Sequence, residues 1–278
     1  MSAKLTVLRR PEGAARWFVL AAVVLALVFL VVPLIAVFAV AFSKGAPAFV
    51  RAISSADTLS AVKLTLLAVG VSVPLNTLFG VAAAWAITKH DFRGKALLIT
   101  LIDVPFAVSP VVAGIVFVFL FGANGLLGPW LMAHDLRVVF APPGIILATV
   151  FVTFPFVARE LIPLMESIGR DEELAAVSLG AGGWAVFSRV TLPNIRWGLF
   201  YGVVVCTARA LGEFGAVSVV SGHVRGVTNT VPLHVEILYN EYDQAGAFAV
   251  ASLLGTVGVI ALIVKKVIER RLEKELSA

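Results

Sequence analysis

Long apolar runs with very few charges recur along this chain and constrain its fold more than any other feature. We place six of them at residues 17–42, 59–88, 96–121, 142–165, 196–220 and 244–266. Each run is long enough for an α-helix to cross a bilayer, which takes about 20 residues. The runs are continuous rather than alternating in polarity, so they indicate helices and not barrel strands. The sequence therefore predicts an all-α membrane protein with six transmembrane helices.

Composition supports this prediction and excludes several classes of protein. Hydrophobic residues make up 60% of the chain and charged residues only 14%, whereas a soluble domain carries about 25% charged residues. The single cysteine, Cys206, lies inside an apolar run, which excludes a disulfide framework or a cysteine metal site within one chain.

The cations predict the orientation of the chain in the membrane. Four of them lie in loops on one side, at Lys44, Arg51, Arg137 and Arg225, and Lys63 and Arg209 lie within runs. The other 16 fall on the opposite side: Lys4, Arg9, Arg10, Arg16, Lys89, Arg93, Lys95, Arg159, Arg170, Arg189, Arg196, Lys265, Lys266, Arg270, Arg271 and Lys274. Because loops rich in Lys and Arg stay in the cytoplasm, we expect both termini there, as tails 1–16 and 267–278. This asymmetry explains the net charge of +5 without nucleic acid.

One segment, EELAAVSLGAGGWAVFSRVTLP at residues 172–193, is too polar and too rich in glycine to be a span. It lies in a predicted cytoplasmic loop at about 166–195. Asp171, Glu172 and Glu173 favour a helix start, since acids suit the positive end of a helix dipole. Gly180 is expected to break this helix, and Pro193 marks the approach to the fifth span.

Apolar residues recur at spacings of 3, 4 and 3 in this loop, at Leu174, Val177, Ala181 and Trp184, which predicts a stripe on one helix face. Such a stripe fits two interpretations. The helix could lie on the membrane surface, or it could dock into a groove of a cytoplasmic partner.

The same segment resembles the EAA loop of ABC-transporter permeases, whose pattern is Glu-Ala-Ala, three residues, Gly, nine residues, Ile, one residue and Leu-Pro. Six positions match in register or with a close substitute: Ala175, Ala176, Gly180, Val190, Leu192 and Pro193. Leu174 stands where the pattern has Glu, with Glu173 one residue earlier, and Val190 replaces Ile. The resemblance implies that the loop docks into an ATP-hydrolysing subunit through Glu173, Ala175, Ala176, Gly180, Trp184, Leu192 and Pro193.

Three further segments resemble permeases of sulfate/thiosulfate importers, closest to their W-type subunit. They are FVARELIPLMESIGRDEELAAVSLGA, LPNIRWGLFYGVVVCTARALGEFGAVSVVSGHVRG and PLHVEILYNEYD. The resemblance implies the type I ABC importer permease fold over 17–266, in a bacterial inner membrane. It also implies a second permease subunit, two copies of an ATPase and a periplasmic binding protein. Molybdate permeases share the ARALGEFGAV segment less completely and rank second.

Ionisable residues inside predicted spans are costly in lipid and usually face a bundle interior or a cavity. Arg209 and Glu213 are four residues apart, on one helix face. They could form a structural ion pair, or line a path on which Arg209 meets the anion. Asp103 lies near Pro105 and Pro110 and could line the same path in a kinked helix, cap a local break, or pair with Lys63.

The sequence argues against catalysis by this chain. It has no GxxxxGK[ST] phosphate loop, no HExxH metal motif and no GxSxG nucleophile elbow. We therefore expect a non-catalytic subunit without a cofactor. A proton-driven secondary transporter, with Glu213 or Asp103 as the carrier, is the rival within transport, and an intramembrane enzyme and a membrane scaffold are the rivals outside it.

Overall fold

The structure is a computed structural model that describes residues 14–276 and, within them, the side chains of residues 16–268 and 271. Its α-helices are α1 (Ala14–Ala41), α2 (Ala46–Ile53), α3 (Ala56–Lys89), α4 (Lys95–Ala107), α5 (Pro110–Phe121), α6 (Gly128–Ala133), α7 (Pro142–Thr153), α8 (Pro155–Ile168), α9 (Asp171–Ser178), α10 (Gly183–Val186), α11 (Leu192–Leu211), α12 (Gly215–Ser221), α13 (Val231–Asn240) and α14 (Gln244–Leu276). A π-helical turn, Phe187–Thr191, joins α10 to α11.

Four stretches of helix are long and apolar enough to cross a membrane: Arg16–Ala41, Ala56–Lys89, Pro142–Ile168 and Gln244–Ile268. They cover four of the six predicted spans. The 34 residues of α3 extend over about 51 Å, more than the roughly 30 Å of a hydrocarbon core. The predicted C-terminal tail begins inside α14, which continues to Leu276, and residues 1–13 of the predicted N-terminal tail lie outside the described residues.

The other two predicted spans are each broken into two helices. Helices α4 and α5 meet at 105°, and the helix Gly183–Leu211 meets α12 at 48°. The kinked helix that was one alternative for Asp103 is instead two helices, because the chain turns through more than a right angle between them. Pro110 favours this break, since proline disfavours the helical conformation of the residue before it, and Ser109 has a non-helical ψ of 133°. Counting each bent pair as one span gives six.

The core lies where α3 packs against α7, α8 and α11. A side-chain carbon added at Gly80 of α3 would lie 2.7 Å from Val157 Cβ of α8, so the two backbones approach closely. The buried amide of Asn76 donates to the carbonyl of Val150 and to Thr153 Oγ1 on α7, at 3.1 and 2.8 Å. These contacts hold α3 as the central helix of the described chain.

Three short helices, α2, α6 and α13, lie between the longer ones and were not predicted. They fall on the side opposite the 166–195 loop, where Lys44 Nζ lies 3.1 Å from Asp243 Oδ1 and ties the end of α1 to the start of α14. The Lys44 ammonium holds the pKa of Asp243 below its ordinary value. Helix α1 packs along α14 and is otherwise open on its surface.

Candidate functional site

The 166–195 loop begins with a short helix, as the sequence predicted. Helix α9 starts at Asp171, with Asp171, Glu172 and Glu173 in its first turn, and it ends at Ser178. Gly180 has a φ of +89°, a conformation that side chains rarely adopt, so it stops the helix as expected. Pro193 lies in the first turn of α11, but no separate helix starts there, since α11 continues without a break from the π-helical turn Phe187–Thr191.

The predicted apolar stripe does not lie on one helix. Because α9 ends at Ser178, Ala181 and Trp184 lie beyond the break, and Trp184 belongs to α10. The loop nevertheless exposes an apolar surface, which consists of Leu174, Val177, Leu179 and Trp184 and is called the apolar loop surface below. Leu179 is 89% exposed and Trp184 78% exposed. Leu179 was not singled out from the sequence, since it lies off the helical spacing.

The remaining residues implied by the EAA resemblance divide between the surface and the interior. Ala175, Gly180 and Pro193 are exposed, and Ala176 is half-buried. Leu192 is half-buried and packs against the hydrophobic core that contains Leu161, Met165 and Ile195.

Glu173 points inward and binds within the chain. Its Oε2 lies 3.0 Å from Lys89 Nζ at the end of α3, and its Oε1 accepts a 2.6 Å hydrogen bond from Thr191 Oγ1. The carboxylate of Glu172 likewise accepts a hydrogen bond from the Asn194 amide. Both acids therefore bind the loop to the spans. No local pattern marks Lys89 as the partner of Glu173, since 84 residues separate the two.

Arg209 and Glu213 form the ion pair that their spacing predicted. Arg209 Nη2 lies 3.2 Å from Glu213 Oε2, at the break between α11 and α12. Glu213 is buried, and its Oε1 accepts a hydrogen bond from the Ala216 amide at 3.1 Å, while the Arg209 side chain is partly exposed. A side-chain carbon added at Gly215 would lie 2.9 Å from Pro110 Cβ, which confirms a close helix contact beside the pair.

Asp103 pairs with Arg159 and not with Lys63. Arg159 Nε lies 3.4 Å from Asp103 Oδ1, and the Arg159 guanidinium lies 4.8 Å from the centre of the Phe106 ring. Both charged side chains are about half exposed. Arg159 was assigned to the cytoplasmic loop region from the sequence, but it lies within α8, in the third of the long apolar stretches. The Asp103–Arg159 pair is partly exposed, so it does not face the core. Charged side chains are also energetically costly to place against lipid.

A cavity of about 580 Å³ lies at the opposite end of the molecule, between α5, α6 and the segment before α7. Its lining includes Phe119, Leu131, Arg137 and Phe140 and none of the residues proposed for coupling or for the path.

Known proteins resemble this chain in sequence and in fold. Residues 76–274 match the model of a family described as binding-protein-dependent transport system inner membrane component. The sulfate transport system permease protein CysW of Escherichia coli (strain K12) is 49% identical over 267 residues, which cover 96% of this chain and 92% of that protein. CysW of Synechococcus elongatus is 52% identical over 242 residues, 87% of this chain and 85% of that one.

A second group of relatives is more distant. The sulfate transport system permease protein CysT of Escherichia coli (strain K12) is 37% identical over 210 residues, 76% of each chain. A crystal structure of a bacterial alginate ABC transporter, in complex with an alginate pentasaccharide-bound periplasmic protein, superimposes with a TM-score of 0.76. It covers 92% of this chain and 94% of that one at 19% identity, and so supports the importer permease fold alone.

Proposed function

Since the chain belongs to the family of binding-protein-dependent transport system inner membrane components, we propose that it is a permease subunit of an ATP-driven importer for sulfate and thiosulfate. The observation that carries the proposal is the apolar loop surface, which Leu174, Val177, Leu179 and Trp184 expose on the predicted cytoplasmic side. Apolar side chains presented by a short helix suit a groove in a partner protein.

In this proposal the loop transmits work from a separate ATPase. Ala175, Gly180 and Trp184 lie at the surface that would enter the ATPase cleft. Glu173, Leu192 and the residues around them face the spans and carry the movement inward. ATP hydrolysis belongs to the partner, because this chain lacks a phosphate loop. Movement of the docked loops would then alternate the access of a central path between the two sides.

The proposed assembly contains a second permease subunit in the inner membrane, two copies of the ATPase on the cytoplasmic side and a periplasmic binding protein. Two different permease proteins of one organism, CysW and CysT, are similar to this chain, which supports a pair of paralogues rather than two copies. The partner permease would cover part of the apolar surface that the described helices leave open. Neither nucleic acid nor a resident cofactor has a role in the proposal.

Arg209, Glu213 and Asp103 are the residues that we propose for the translocation path. The Arg209 guanidinium is partly exposed while Glu213 is buried behind it. An anion that reached Arg209 would meet a positive group whose charge Glu213 partly balances, so it would bind weakly enough to leave. The half-exposed Asp103–Arg159 pair requires water or protein beside it and could border the same translocation path.

Sulfate is preferred over molybdate and tungstate because the relatives with about half of their residues identical are named as sulfate permeases. Thiosulfate is included on the resemblance of the three quoted segments alone. The test is uptake of labelled sulfate by cells that lack the gene and carry either the wild-type chain or a variant. We expect wild-type uptake to be competed by excess thiosulfate. Uptake of molybdate instead of sulfate would overturn the substrate assignment alone.

Two variants test the coupling role in the same cells. Gly180→Asp should abolish uptake while the protein stays in the membrane, because the surface at the helix end is disrupted. Gly182→Asp is the matched control, since Gly182 has an ordinary φ of −71° and also has open space around it. Normal uptake by Gly180→Asp would refute the docking role. Uptake that survives ATP depletion but stops when the proton gradient collapses would favour the secondary transporter.

A further inference from the structure

The carboxylate of Glu173 joins three elements that are far apart in sequence. It belongs to α9, it pairs with Lys89 at the last residue of α3, and it accepts a hydrogen bond from Thr191 just before α11. We propose that Lys89 is a positioning residue that fixes the 166–195 loop, called the coupling loop below, to α3. Loop and helix would then move as one body. This inference rests on the proposed role of the loop as the docking site for an ATPase.

Lys89 contacts the loop at two points and its neighbour provides a third. Lys89 Nζ lies 3.0 Å from Glu173 Oε2 and donates a 2.6 Å hydrogen bond to the carbonyl oxygen of Gly169. In the opposite direction, Arg170 Nη2 donates a 2.6 Å hydrogen bond to the carbonyl oxygen of Thr88. Together these contacts, called the clamp below, bind the end of α3 to residues on both sides of the start of α9. The loop therefore cannot pivot about a single bond.

Burial distinguishes this ion pair from an ordinary surface pair. The Lys89 and Glu173 side chains are 8% and 17% exposed, whereas Lys95 and Asp91, on the same predicted side, lie 3.6 Å apart and are 33% and 88% exposed. Exposed pairs contribute little to structure. Removing one partner of a buried pair instead leaves an uncompensated charge, which forces the surrounding groups to rearrange.

Helix α3 connects this clamp with the opposite end of the protein. Lys89 lies about 36 Å along the helix from Thr65 and about 46 Å from Thr58. There, Thr58 Oγ1 lies 3.1 Å from His234 Nε2, and Thr65 Oγ1 accepts a 2.9 Å hydrogen bond from the amide of Val231. Both of these partners belong to α13. A displacement of the loop that reaches α3 through Lys89 would therefore be delivered to the side on which substrate enters.

The experiment uses the complete transporter reconstituted in lipid nanodiscs and proteoliposomes. Lys89→Ala and Glu173→Gln are compared with Lys89→Arg, which keeps the charge, and with Lys95→Ala, which removes the same charge from an exposed pair. Three quantities are measured: ATPase subunits bound per permease, sulfate transported per ATP hydrolysed, and nucleotide-dependent hydrogen exchange in peptides that cover residues 84–92 and 169–180.

We expect Lys89→Ala and Glu173→Gln to retain the ATPase subunits and to lose about tenfold in sulfate transported per ATP, within the usual range of coupling between sites. Nucleotide should still change exchange in peptide 169–180 of these variants, but no longer in peptide 84–92. Lys89→Arg should recover most of both signals, and Lys95→Ala should match the wild type.

Two results for Lys89→Ala would overturn the inference. The first is normal sulfate transport per ATP together with a normal exchange response at 84–92. The second is loss of bound ATPase, which would make Lys89 only a support of the docking surface. The exchange readout does not depend on the substrate. If the wild type transmits the response to 84–92 without moving sulfate, the sulfate assignment fails and the role of Lys89 stands.

Discussion

Gly80 offers a direct test of how closely the two helices that hold the coupling loop must pack. It lies in α3, opposite Val157 and Ala158 of α8. Helix α3 ends at Lys89 and α8 ends at Ile168, so their packing sets how near the clamp residues come to one another. Replacing Gly80 by alanine adds one carbon at this contact.

The size of the effect follows from the distances. The added carbon would lie 2.7 Å from Val157 Cβ and 2.9 Å from the backbone nitrogen of Ala158, where 3.4 Å is the lower limit of ordinary contact. The helices must therefore separate by about 0.7 Å. The backbone nitrogen of Ala158 cannot relieve the contact by a side-chain rotation. Overpacking of this kind costs about 3 kcal/mol at the upper end of its range, and alanine returns about 1 kcal/mol of helix propensity.

Gly70 provides the matched control, since it lies in the same helix with nothing within 4 Å of an added carbon. Gly70→Ala gains the same propensity without the clash, so the two variants should differ by about 3 kcal/mol. For a chain of this size we expect the difference in thermal midpoint to be about 6–12 °C, measured by circular dichroism of the full-length protein in detergent micelles. Equal midpoints would show that α3 and α8 separate freely and would refute the close-packing argument.

Three further outcomes are expected. Asn76→Ala should lower the free energy of unfolding by about 0.5–2 kcal/mol, because the buried amide joins α3 to α7; an unchanged thermal midpoint would contradict this. Glu213→Gln should reduce the maximal rate of sulfate uptake roughly tenfold, equivalent to about 1.4 kcal/mol, at equal protein in the membrane, because Arg209 would hold the anion more tightly. Burial is the main cause that holds the pKa of His234 below its ordinary 6.5. The neutral ring therefore stabilises the fold above pH 6.5. This stability is lost as the pH falls from 6.5 through the lowered pKa. The thermal midpoint should drop over that range in the wild type and drop less in His234→Gln, and parallel curves would refute the assignment.

The sequence predicted the local features of the loop because each depends on neighbouring residues. The acidic start of α9 and the break at Gly180 follow from helix dipoles and backbone conformation. The Arg209–Glu213 pair was predictable for the same reason, since four residues make one turn.

Contacts between distant segments were not predictable in this way. Lys89 and Glu173 meet because α3 and α8 pack side by side, and Asp103 meets Arg159 because α4 packs beside α8. Hydrophobicity gave the positions of the spans but not the 105° bend, since the helices on both sides of the bend are apolar. The apolar stripe failed as a one-helix pattern because the spacing ran across the break.

The open surface of helix α1 determines which substitutions this segment can accept. None of its described residues before Ala41 is buried, and it touches the remaining helices mainly along α14. Its place in the membrane therefore depends on its mean hydropathy of 3.2 rather than on the shape of individual side chains. We therefore expect this segment to tolerate exchange for other apolar residues, provided that its length and mean hydropathy are kept, while the bundle around α3 keeps its fold.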